Sequence, residues 1–223
     1  MMKNLFLLSL LVIFAAGCKS NTKDSTAAYA DRPAIARDIA TANGLDDFKD
    51  VEQINFTFNV KVQDSLRSQR SWQWKPKTNE VTLTENNATK TYKRNGELTE
   101  EEKQADQKFI NDTYWLLFPY QLVWSDAQIS EEKDATAPIS GNKMDKLTAS
   151  YSGEGGYTPG DSYDIYYDDD MILQEWVYKA ADGNREMATT WEGYKNFEGV
   201  KIATSHKSPD GSFELFFDNI SVK

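Results

Sequence analysis

The sequence predicts an α+β fold in which a curled antiparallel sheet of about nine or ten strands, a half-barrel, wraps around one or two helices. Two observations carry that prediction. Beyond residue 50 most of the chain alternates apolar and polar residues in short runs separated by turn-forming residues, and helical spacing is confined to two stretches. That many strands cannot stay flat and open, and the helical stretch ending near Pro119, rich in Tyr114, Trp115 and Phe118, supplies the filler that a bent sheet needs on its concave side.

Residues 1–17 read as an export signal. Lys3 gives a basic start, Leu5 to Ala16 is apolar apart from Ser9, and Ala15-Ala16-Gly17 puts small residues directly before Cys18. The apolar run is shorter than the roughly 20 residues that span a bilayer. Ala15-Ala16-Gly17-Cys18 resembles the bacterial lipobox, departing from it in having Ala15 where leucine is commonest, and the resemblance implies that Cys18 is acylated. The alternative is an ordinary secretory signal with an incidental cysteine. Cys18 is the sole cysteine in the chain, so the folded part has no use for it in a disulfide, a thiolate metal site or nucleophilic chemistry. Acyl chains at Cys18 would tether the protein to a membrane. Lys19-Ser20 places no aspartate after the cysteine, which in the enterobacterial scheme points to the outer membrane.

Residues 18–32, small and polar, are expected to form a lipidated flexible tether, and residues 33–223 a single half-barrel domain. Pro33 opens a first helix with an apolar stripe of Ile35, Ala36, Ile39 and Ala40, stopped by Asn43-Gly44. Ile54, Phe56, Phe58, Val60 and Val62 then alternate with polar residues as a strand. Trp72 with Trp74, and Val81 with Leu83, predict the next two. Thr99-Glu100-Glu101-Glu102 is a capping-box start for a second helix running to Pro119. Gln121 to Trp124 is expected to enter a short strand, and the acidic, turn-rich Ser125 to Lys146 to form a mobile flap. From Leu147 to Phe217 short apolar runs separated by Asp, Asn and Gly predict a meander.

Several segments are candidates for chemistry. His206 is the sole histidine, which confines any Ser-His-Asp or two-histidine metal site to it or excludes it. Its place near the Ser208-to-Gly211 turn predicts a partly solvated strand-end side chain in preference to a base. Asp168-Asp169-Asp170, with Asp161 and Asp164, offers oxygen ligands for calcium, but the spacing departs from an EF-hand loop and suits a solvated hairpin turn. Gly155, Gly156 and Tyr157 sit in a loop that lacks the lysine of a phosphate-binding loop and would suit a ligand portal at a sheet rim. A formal net charge of −10 disfavours nucleic acid and anionic headgroups as partners. No cofactor or metal is expected.

The strongest resemblance lies in Trp72-Gln73-Trp74-Lys75-Pro76-Lys77-Thr78, Asn111 to Pro119 (NDTYWLLFP), Gly155-Gly156-Tyr157-Thr158-Pro159-Gly160-Asp161 and Glu175-Trp176-Val177-Tyr178. With the lipobox, these resemble an uncharacterised family of bacterial lipoproteins over nearly the whole mature chain. The order of elements is also similar to the half-barrel lipoprotein-localisation factors of the LolA/LolB type, whose concave face holds acyl chains. That resemblance implies a hydrophobic or amphipathic ligand, a lipid or acyl chain, between sheet and helix. Phe56, Phe58, Trp72, Trp74, Trp115, Phe118, Tyr163 and Trp176 are the residues expected to line either such a cavity or a dry core. The competing expectation is a non-enzymatic envelope scaffold meeting protein partners through its acidic flap and an open sheet edge.

Overall fold

Alternating runs joined by tight turns can pair only antiparallel, and every paired strand does so. The computed structural model describes residues 28–152 and 159–223. Helix α1 (Ala34–Ala42) begins after Pro33, whose φ of −51° suits a helix entry, and α2 (Leu45–Phe48) follows Gly44. Strands β1 (Ile54–Val62), β2 (Ser65–Lys75), β3 (Glu80–Glu85) and β4 (Ala88–Lys93) form a meander. Helices α3 (Glu100–Leu116) and α4 (Phe118–Trp124) come next. A second meander comprises β5 (Gln128–Thr136), β6 (Lys143–Ser150), β7 (Ser162–Tyr167), β8 (Leu173–Lys179) and β9 (Glu186–Thr190). The chain returns through β10 (Lys195–Phe197), β11 (Val200–Ile202), β12 (Ser205–Lys207) and β13 (Phe213–Val222).

The described residues thus form thirteen strands in three sheets, more than the nine or ten expected. The excess lies in β4, β5, β10 and β12. These are short or nearly all polar, so they carry no apolar alternation, and their pairing is dictated by neighbours. The six-stranded sheet has the order β12-β13-β1-β2-β3-β4 and the five-stranded one β5-β6-β7-β8-β9. They meet at a seam where Glu192 N–H donates to Ser205 O at 2.9 Å and Ser205 N–H donates back at 3.2 Å. The opposite ends, β4 and β5, are separate edges, and the sheets do not close into a barrel.

Two other expectations are corrected. Gln121 to Trp124 is helical, because Pro119 does not end helical structure but restarts it: lacking an N–H, it breaks α3 at Leu117 and then occupies the first turn of α4. Ser125 to Lys146 is a hairpin and not a flap. Its tip lies on the outer face of the second sheet, where the Glu175 carboxylate accepts hydrogen bonds from Ile139 N–H at 2.7 Å and Ser140 N–H at 2.9 Å. Ala135, Ala137, Tyr166 and Val177 form a small separate core beneath it.

Helix α3 is capped as expected, Thr99 and Glu102 exchanging side-chain and backbone hydrogen bonds. Its sheet-facing side carries two buried acids. Asp106 accepts from Arg94 Nε at 2.7 Å and from the Tyr92 hydroxyl at 3.2 Å. Asp112 accepts from Arg70 Nε at 2.7 Å, Arg70 Nη2 at 2.6 Å and Trp72 Nε1 at 2.8 Å. Between them Phe109 packs edge-on against Trp72 and Trp74. These contacts fix the helix against the first sheet, while the junction with α4 meets the second: Trp115 of α3 and Phe118 of α4 both touch Trp176.

Candidate functional site

One side of α3 is not covered by either sheet's packed core, and Ile110, Tyr114 and Trp115 lie there. A groove of about 990 Å³ opens there, walled by Phe58 and Val60 of β1, Phe213 and Leu215 of β13, Ile110, Tyr114 and Trp115 of α3, and Tyr163, Trp176, Tyr178 and Met187 of the second sheet. Both sheets and the helix therefore contribute. Period-two alternation places Phe58 and Val60 on one face of β1, and antiparallel register sets Leu215 beside Val60 and Phe217 beside Phe58.

Of the aromatic residues expected at the site, Phe58, Trp115, Tyr163 and Trp176 line the groove. Phe56, Trp72, Trp74 and Phe118 sit in the solid core, at most 9% exposed. The division follows the faces of α3: Phe109 packs onto the two tryptophans, whereas Ile110, Tyr114 and Trp115 line the groove. Gly155, Gly156, Tyr157 and Cys18 lie outside the described residues.

The groove has an apolar floor and a polar mouth. At the mouth Tyr114 and Tyr151 share a hydrogen bond at 2.8 Å, and Tyr151 shares another with Ser125 Oγ at 3.1 Å. Burial pushes the Tyr114 hydroxyl well above the ordinary tyrosine range, helped by Tyr151 and Tyr163, so it stays neutral. On the other wall Arg185 Nη2 donates to the Tyr178 hydroxyl at 2.9 Å, which donates to Asp161 Oδ2 at 3.0 Å; Ala181 N–H caps Asp161 Oδ1 at 3.0 Å. Asp126, at the same end, pairs with Arg32 at 2.9 Å. This polar mouth was invisible in the sequence, because Ser125, Tyr151, Asp161 and Arg185 come from three separate connections, α4–β5, β6–β7 and β8–β9.

His206 is fully buried, which corrects the expected solvated strand end. It lies at the seam behind Trp115, with Trp191 at 4.4 Å and Trp115 at 5.3 Å between ring centroids. Nδ1–H donates to Thr190 O at 3.3 Å. Burial drives its pKa down to about 3, so the ring is a neutral core group that holds the two sheets together. The aspartates expected as a calcium alternative are apart and individually engaged: Asp168 caps its own turn through Asp170 N–H and Ile172 N–H, and Asp164 pairs with Lys179 at 2.6 Å. Among the described residues no group of three or more His, Cys, Asp or Glu side chains is placed to hold a metal ion. Nor is any described helix long and apolar enough to cross a membrane.

Comparison with known protein families finds no matching model, and comparison with curated proteins finds no match. Among solved structures the fold is similar to that of a LolA superfamily protein from Nitrosomonas europaea, with a TM-score of 0.48 and 11% identity over 84% of this chain and 93% of the other. It is also similar to a DUF1329 family protein from Desulfovibrio piger, with a TM-score of 0.47 and 8% identity over 89% of this chain and 93% of the other.

Proposed function

We propose that the chain is a membrane-anchored, non-enzymatic envelope protein that binds a hydrophobic or amphipathic molecule, a lipid or an acyl chain, in the groove beside α3. The observation that carries this reading is the groove's construction. Its volume of about 990 Å³ falls in the range of roughly 300–1,000 Å³ typical of small-molecule sites, and such sites are mostly apolar with a few converging polar groups. Phe58, Ile110, Trp115, Trp176, Phe213 and Leu215 supply the first property, and Ser125, Tyr151 and Tyr178 the second. In this reading residues 1–17 are a lipoprotein signal, Cys18 carries the acyl chains, residues 18–32 are the tether, and the outer membrane is the destination.

Native mass spectrometry of protein purified without detergent, followed by denaturing extraction, tests the ligand. A bound mass released as lipid supports it; protein that carries none and takes up no added amphiphile overturns it. Metabolic labelling with a tagged fatty acid tests the anchor, the label being lost in Cys18→Ser. A second reading is favoured by the unpaired edges of β4 and β5: a scaffold that meets partner proteins by strand addition. Specific partners recovered with a ligand-free groove would select it.

A further inference from the structure

The charges at the groove mouth cancel one another, and that limits which amphiphile fits. Among the described lining residues Arg185 is the cation, and Asp126 and Asp161 are the acids. Each is already spoken for. Asp126 is held by Arg32. Asp161 accepts from Tyr178 and from Ala181 N–H, and Arg185 donates to that same Tyr178, lies over its ring at 5.3 Å, and sits in the field of Asp161 and Asp182. An incoming carboxylate or phosphate would meet one cation facing two nearby acids, on a protein of net charge −10. Its desolvation would go largely uncompensated. What the mouth does offer is neutral: the amides of Gln107 and Gln121, able both to donate and to accept, and the Tyr151 hydroxyl, which keeps one lone pair beyond its bonds to Tyr114 and Ser125.

Resting on the reading of the groove as a ligand site, we propose that it selects amphiphiles with an uncharged, oxygen-bearing head, of the monoacylglycerol kind, over fatty-acid anions. The alkyl chain lies along Phe58, Trp115 and Leu215, and the head's hydroxyl and ester oxygens exchange hydrogen bonds with Tyr151 and Gln121.

The test is a tryptophan-fluorescence titration of the purified protein with monolauroylglycerol and, separately, laurate, each below its micelle concentration. At neutral pH the glyceride should bind about tenfold tighter, a difference of about 1.4 kcal/mol. Acidification that neutralises laurate should bring its affinity up toward that of the glyceride. Tyr151→Phe combined with Gln121→Leu should narrow the gap several-fold, circular dichroism confirming that the variant is folded. Laurate binding as tightly as the glyceride at neutral pH would overturn the head-group inference while leaving the groove a ligand site. Binding of neither probe would overturn both.

Discussion

Arg70 on β2 grips Asp112 on α3 through two nitrogens, Nε at 2.7 Å and Nη2 at 2.6 Å, and lays its guanidinium 4.5 Å from the centre of the Phe58 ring. One side chain thereby fixes the helix and braces a wall of the groove. Asp112 is fully buried, so removal of Arg70 strands a charge that also binds Trp72 and Asn111. Arg70→Ala is expected to cost about 3–5 kcal/mol in urea unfolding. The pair Arg70→Met with Asp112→Asn should cost less than that single change, because the amide still accepts from Trp72 and no charge is stranded. A double variant at least as unstable as Arg70→Ala would contradict this account.

Val60 is a half-buried groove residue whose neighbours across the register are Leu215 and Ser68. Val60→Arg places a long cationic side chain along the apolar floor with its head free to reach solvent. Affinity for a neutral amphiphile should fall by about tenfold or more, whereas unfolding stability should shift by under about 1 kcal/mol, as for surface changes. Equal affinity in the variant and the parent protein would place the ligand elsewhere.

His206 makes a pH prediction with a definite sign. Its folded pKa of about 3 lies below the ordinary histidine value of 6.5, so between these values the unfolded chain binds a proton that the folded chain refuses. Stability therefore rises with pH across this window and is lost as pH falls through it, on the order of 3 kcal/mol by pH 4. His206→Phe keeps a ring against Trp191 and Trp115 and should flatten the unfolding free energy between pH 4 and pH 6.5. An unchanged slope would mean that other groups carry the acid sensitivity.

These residues also mark what the sequence made legible. Alternation in Ile54–Val62 and the Thr99–Glu102 capping box identified β1 and the start of α3, since local chemistry alone specifies them. It could not separate Phe58, which lines the groove, from Phe56, which is equally buried two residues away on the same face but does not line it. That difference is set by where α3 lies, through Arg70 and Asp112, a contact 42 residues apart in the chain. Strands β10 and β12, three residues each, were silent for a related reason: their pairing is imposed by tertiary neighbours.

The outer-face hairpin yields the last prediction. Glu175 is 3% exposed, and each of its oxygens takes one backbone N–H from the tip of the β5–β6 hairpin, Ile139 and Ser140. Glu175→Ala would leave two donors to find other partners, at a cost of roughly 1–3 kcal/mol for each that stays buried. The tip rests otherwise on a core of Ala135, Ala137, Tyr166 and Val177, too small to hold it alone. The consequence should be local: in hydrogen–deuterium exchange, amides around residues 137–142 lose protection by about tenfold or more, while those of β7 and β13, paired on both sides, change little. Protection lost evenly across both sheets would mean that Glu175 supports the whole fold and not the hairpin, because β8 carries Glu175 on its outer face and Trp176 on the groove side. In that event groove binding should weaken as well, whereas a local effect leaves amphiphile affinity unchanged in the same protein sample.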